Sequence, residues 1–160
     1  MNLQVPIAEW MTAAPVTVAP DDRLLKAKEH FSSYPIHHLP VVEDGRLVGM
    51  LSKTDLLYFL QPPTPKRDKA YPNLQQLKMV MVRDAMRKRV RTVAPTDPVL
   101  RAVELFAENL FHALPVVDAE GKVAGIITTH DVIWKLLPKQ DSETFSDDEI
   151  GYSASGRRRI

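Results

Sequence analysis

The chain has no cysteine. Disulfides, thiolate catalysis and cysteine-type zinc sites are therefore excluded, and a reducing cytoplasm is the expected setting. It also has almost no net charge: 21 basic residues face 20 acidic ones, leaving +1. No global field draws it to nucleic acid or a membrane surface. No apolar run approaches the roughly 20 residues needed to span a bilayer. The start, Met1-Asn-Leu-Gln-Val-Pro, lacks a basic region followed by an apolar core, so no secretory signal is expected. Gly-x-Ser-x-Gly, P-loop and His-Glu-x-x-His patterns are all missing. With no activated nucleophile in view, an enzyme is not expected. The few glycines sit singly in turns and strands rather than in a GxGxxG cradle.

What is present is ordinary for a globular protein. Of 160 residues, 44% are apolar and 26% charged. That length suits one domain or two small halves sharing a core.

A repeat decides between these. Thr17-Val-Ala-Pro20 recurs as Thr92-Val-Ala-Pro95, a shift of 75. The same shift aligns Met11 with Met86, Asp22 with Asp97, Phe31 with Phe106, His37 with His112, and Leu39-Pro-Val-Val42 with Leu114-Pro-Val-Val117. One extra residue near Ala119 moves the shift to 76, and Gly49 then meets Gly125 while Asp55 meets Asp131. Two copies of one supersecondary unit follow, each too small to bury its own core.

One unit reads as follows. Residues 8–11 form a short helical lead-in, and residues 16–18 form a β-branched strand closed by Pro20. Asp22 and Asp97 stand where an N-cap belongs, and Pro98 takes the favoured first helical position. Leu24, Ala27 and Phe31, like Val99, Ala102, Phe106 and Leu110, share one helical face. Two apolar strands, 39–42 and 47–51, flank a hairpin turn containing Gly45. The closing helices are 56–60 and 132–137. Each unit is thus β-α-β-β-α. Repeat 1 is expected over 5–60, a proline-rich, charged linker over 61–81, with a helix within 73–81, repeat 2 over 82–137, and a flexible tail over 138–160.

The most telling stretch is Gly49-Met-Leu-Ser-Lys-Thr-Asp55. A buried strand turns directly into a helix that Ser52 or Thr54 can cap. A helix start also suits anions, and hydroxyls beside a carboxylate can grip a diol. An ordinary cap with a first-turn aspartate accounts for the same residues.

Two such copies, each with Val-x-Pro, Leu-Pro-Val-Val and a closing Gly-h-h-[Ser/Thr]-x-x-Asp (h apolar), resemble a tandem pair of CBS (cystathionine-β-synthase) domains, a Bateman module. The resemblance covers about residues 5–137. It implies an α/β fold of tandem β-α-β-β-α repeats packed with pseudo-two-fold symmetry, sheets back to back. It also implies a non-catalytic regulatory sensor that binds an adenine nucleotide (AMP, ADP or ATP) in clefts between the repeats. No cofactor is required. A homodimer formed through the amphipathic helices is expected, with output passing to an unidentified effector protein. The alternatives are a ligand-independent dimerisation or protein-interaction module and an S-adenosylmethionine-type ligand, whose cation Arg89 and Arg91 would serve poorly.

Residue by residue, the resemblance assigns the ribose hydroxyls to Asp55, helped by Ser52 and Thr54, and in the second cleft to Asp131, helped by Thr128. His130 stands where Thr54 does. The adenine is flanked by the partner repeat: Arg89, Val90 and Arg91 for the Asp55 cleft, and Ala14, Pro15 and Val16 for the Asp131 cleft. The phosphate end falls to His37 and His38 in one copy and His112 in the other. The family often carries an arginine there; neither copy does, with His37 and His38 in one and His112 and Ala113 in the other. His37 and His112 equally suit strand-edge residues bonded to backbone. A metal site from His30, His37 and His38 is not expected, because adjacent strand residues point to opposite faces. The basic run 87–91 lacks interleaved aromatics, so nucleic acid is not expected. With two hydroxyls and these cations, the Asp55 cleft is expected to be favoured by phosphorylated ligands.

Overall fold

A computed structural model describes residues 2–60, 74–109 and 112–137. Most of the linker, 61–73, and the tail, 138–160, lie outside the described residues, as does Leu110.

After a 3-10 turn over Ile7–Glu9 come β1 (Thr12–Ala13), α1 (Leu24–Ser33), β2 (His38–Glu43), β3 (Arg46–Ser52) and α2 (Lys53–Leu60). Then follow α3 (Leu74–Met79), α4 (Val82–Ala85), α5 (Val99–Asn109), β4 (Ala113–Val117), β5 (Val123–Thr128) and α6 (Thr129–Leu136). The β2–β3 and β4–β5 hairpins are antiparallel, and each carries a register shift at the same place in the repeat, Val41/Val42 and Val116/Val117. In the first hairpin Asp44 and Gly45 both have positive φ, 49° and 80°, the geometry that a two-residue turn requires. In the second, the Asp118 carboxylate accepts the N–H groups of Glu120 and Lys122 at 3.1 and 2.8 Å, which accommodates the extra residue.

Each core contains a piece of the other repeat. The first gathers Leu24, Phe31, Leu39, Leu51 and Leu56 together with Leu77 and Val82. The second gathers Val99, Leu105, Leu114, Ile127 and Val132 together with Ile7. The exchanged segments dock with matching bonds. Ile7 N–H donates to the Asp97 carbonyl and Val82 N–H to that of Asp22, both at 2.8 Å. β1 extends the other repeat's sheet, with Thr12 opposite Ile126 and Ala13 opposite Gly125. The equivalent contact in the other half is a bridge between Arg87 and Met50. Burying each Ile or Val contributes roughly 1.5–3 kcal/mol, so neither repeat completes its core alone. Arg46 pairs with Lys122, its own counterpart, which places the pseudo-two-fold axis between the two hairpin tips.

Three local expectations change. The strand at 16–18 is reduced to one parallel bridge, Val18 to Val41, repeated as Val93 to Val116. Val18 donates to Pro40 and accepts from Val42, while the prolines at 15 and 20 contribute no N–H to extend the ladder. Asp22 and Asp97 are not N-caps; the residue before α1 is Arg23, with no side-chain cap. Their carboxylates turn back to accept the N–H groups of Ala19 and Ala94, each at 2.8 Å, and so brace the turn before the helix. The closing helices start three residues earlier than apolar spacing indicates, because their first turns are polar.

Candidate functional site

The starts of α2 and α6 are built alike. Ser52 Oγ accepts the Asp55 N–H at 3.0 Å, while Asp55 Oδ2 accepts the Ser52 N–H at 3.1 Å and its hydroxyl at 2.5 Å. In the second copy Thr128 Oγ1 accepts the Asp131 N–H at 3.1 Å, and Asp131 Oδ2 accepts the Thr128 N–H and hydroxyl at 2.8 and 2.6 Å. These are reciprocal capping boxes with aspartate in the usual glutamate position. Each fixes one carboxylate oxygen and leaves Oδ1 outside the box. Thr54 is exposed and takes no part in the cap.

The two aspartates then diverge. Arg87, from the lead-in of repeat 2, donates to Asp55 Oδ1 through Nε at 3.3 Å and Nη2 at 3.1 Å. The Asp131 side chain has no cation within ion-pair distance among the described residues. Burial pushes the Asp55 carboxyl upward, but the Ser52 hydroxyl and N–H together with Arg87 outweigh it and hold the group below the usual carboxylate range.

His38 opens β2 directly opposite Ser52. Burial pushes its imidazole below the ordinary range, His37 and His112 push the same way, and Asp55 opposes them. His38, His37, His112 and Asp55 thus share one electrostatic neighbourhood drawn from both repeats. His37 and His112 are exposed, and their carbonyls accept the N–H groups of Lys53 and Thr129 at the helix starts. His130 is exposed and stacks on Trp134, with ring centroids 6.3 Å apart. Among the described residues no three His, Asp or Glu side chains are placed to hold a metal ion.

Arg89 and Arg91 are exposed. Val90 instead lines a cleft of about 190 Å³ at the seam, with Leu47, Val48 and Gly49 on one side and Lys88, Thr92, Val117 and Gly121 on the other. Lys88, Val90 and Thr92 thus border this cleft, while Arg87 reaches Asp55. Val90 is separated from its arginine neighbours. On the opposite lead-in, Ala14 has φ 46° and its N–H reaches the Ala124 carbonyl at 3.4 Å, while Pro15 and Val16 are half-buried.

Gly49 and Gly125 explain why the lead-ins approach so closely. A Cβ on Gly49 would lie 2.6 Å from Met86 Sδ and 3.0 Å from the Arg87 carbonyl. One on Gly125 would meet Met11 Sδ and the Thr12 carbonyl in the same way. Sequence reasoning places Arg87 only within the basic run 87–91 beside the Asp55 cleft and does not single out its pairing with Asp55. Its signal was its place beside Met86, which becomes informative only once that segment is known to pair with Met50.

The family model for the CBS domain matches residues 7–62 and 82–138. Protein MJ1225 of Methanocaldococcus jannaschii is 29% identical over 79% of this chain, and its crystal structure, described as a putative archaeal homolog of g-AMPK, gives a TM-score of 0.71 over 84% of this chain and 48% of that one. The bovine 5'-AMP-activated protein kinase subunit gamma-3 is 30% identical over 90% of this chain. The chain spans 45% of MJ1225 and 28% of that subunit. CBSX2, a CBS-pair protein from Arabidopsis thaliana, has been solved in complex with AMP and superposes with a TM-score of 0.68 at 30% identity, covering 82% of this chain and 95% of CBSX2. A doubled motif, exchanged lead-ins and relatives matched over both halves lead to one conclusion: the chain belongs to the CBS domain family, as a tandem pair of its repeats.

Proposed function

We propose that this chain is a non-catalytic regulatory module that binds an adenine nucleotide at the seams between its two repeats. The observation that carries the reading is the pair of capping-box aspartates. Each has one oxygen fixed by its own helix start and the other free of that box, beside a lead-in from the opposite repeat. That oxygen suits a ribose diol, since a charge-assisted bond to a carboxylate contributes roughly 1.5–3 kcal/mol.

In this reading Ser52, Asp55, Thr128 and Asp131 hold the sugars. Val90, like Ala14, Pro15 and Val16, flanks the bases. His38 and His112, with Arg89 and Arg91 at the exposed rim, meet the phosphates, and the Asp55 cleft is the more strongly cationic. The complex of CBSX2 with AMP supports AMP as the first ligand to try. The reading takes the protein as cytoplasmic, with an effector protein that responds to its occupancy.

Calorimetry with AMP, ADP and ATP tests this on wild type and on the Asp55→Ala and Asp131→Ala variants. Heat from at least one nucleotide, reduced in each variant, is expected. No heat from any of them sinks the reading.

A second reading, a ligand-independent dimerisation module, draws on one observation. The closing helices expose Leu57 (54%), Ile133 (60%) and Trp134 (42%), an apolar face suited to a second copy of the chain. Light scattering on Trp134→Glu tests that face. A dimer unaffected by nucleotide and lost in the variant, with no calorimetric signal, favours this reading over sensing.

A further inference from the structure

Arg87 occupies the one Asp55 oxygen that a sugar would use. Its Nη2 is 3.1 Å from Asp55 Oδ1, on a carboxylate only 16% exposed, while the arginine side chain itself is 75% exposed. Its backbone is fixed from both sides: Met50 N–H donates to the Arg87 carbonyl at 3.0 Å, and Arg87 N–H donates to the Met50 carbonyl at 2.9 Å. The guanidinium is therefore free to swing while its anchor stays in place. The equivalent residue on the other lead-in is Thr12, opposite Ile126, which is short and uncharged. No cation pairs with Asp131 among the described residues.

We propose that Arg87 is a specificity-determining latch that makes the Asp55 cleft demand a phosphorylated ligand, while the Asp131 cleft accepts the nucleoside part alone. The proposal rests on the sensing reading above. A neutral nucleoside that reaches Asp55 must displace Arg87 and offers it nothing in return, so a polar contact is lost for each one made. A nucleotide brings its own anion. Its diol takes the carboxylate, its phosphate takes the guanidinium, and both charges remain paired. Among the described residues, no cation opposes either ligand in this way at Asp131. The discrimination comes from an element built against the wrong ligand as much as from attraction to the right one.

The test titrates adenosine and AMP into the full chain by calorimetry. An Asp131→Ala background isolates the Asp55 cleft. If that change unfolds the protein, as read by thermal melting, Asp131→Asn keeps an acceptor for the cap and serves instead. In this background AMP is expected to bind about tenfold or more tightly than adenosine, the factor set by one charge-assisted contact. Adding Arg87→Gln should tighten adenosine by about two- to fivefold, the range for an exposed ion pair. The same change should weaken AMP, so the ratio falls toward one. A ratio that is the same with and without Arg87 overturns the latch while leaving nucleotide sensing intact. A wild-type chain that binds neither compound overturns the sensing reading and the latch together.

Discussion

Ile7 and Val82 occupy the same place in their repeats, yet each is fully buried in the core of the other repeat. The halves are therefore locked by exchange rather than by contact of two finished surfaces. Ile7→Ala should cost about 2–4 kcal/mol, and Val82→Ala somewhat less, because each leaves a cavity that its surroundings fill only partly. Urea unfolding followed by fluorescence should still show one transition in each variant, since each core needs the other repeat's lead-in. Two separated transitions would show that the halves fold independently.

Gly49 is required by a contact rather than by its turn geometry. The Met86 thioether can rotate away from an added Cβ, but the Arg87 carbonyl is held by the Met50 N–H. Gly49→Ala should lose about 1–3 kcal/mol, the usual range for overpacking. Adding Met86→Ala should restore only part of it. Full restoration in thermal melts would place the whole strain on the side chain.

The Asp55 carboxyl is held below its ordinary range, so its ionised form is preferred in the folded state. Its stabilisation is fully present above the unfolded value of about 3.9 and is lost as pH falls through the lower folded value. Asp55→Ala should cost about 0.5–2 kcal/mol at pH 7, the range for a lost cap. That penalty should shrink as pH drops below about 4. Urea titrations of both proteins at pH 7 and pH 3 check this; a penalty that grows in acid contradicts it.

His38 behaves oppositely, because its charged form is the one disfavoured. Above an unfolded value of about 6.5 both states are neutral and nothing changes. Below it the unfolded chain gains a proton first, so stability falls until the pH reaches the lower folded value. A phosphate brought next to His38 should favour the imidazolium, so AMP binding near pH 6 should take up a proton. Calorimetry in two buffers of different ionisation enthalpy measures that uptake, and His38→Gln should remove it. Equal uptake in the variant would assign the proton elsewhere.

Much of this fold was legible because it is written twice. The shared register, the Leu-Pro-Val-Val strands and the hairpin turn at Gly45 follow from local spacing and chemistry, which act over a few residues. The same locality misplaced Asp22 and Asp97. A carboxylate before a helix can accept the helix's own N–H groups or turn back to a preceding one, and the Ala-Pro turn offers the second choice at 2.8 Å. The strand at 16–18 failed because β-branched residues mark a strand but say nothing of how many partners it finds.

The sequence by itself determined the doubled β-α-β-β-α plan, the two hydroxyl–carboxylate helix starts and the absence of thiol chemistry, since each depends on residue types at short, repeated intervals. Only the tertiary structure decided that the lead-ins cross into opposite cores, that Val90 faces a cleft while Arg87 faces Asp55, and that among the described residues Asp131 has no such cation. Those outcomes depend on which distant backbones pair: the bonds between Arg87 and Met50 fix where the following residues can lie.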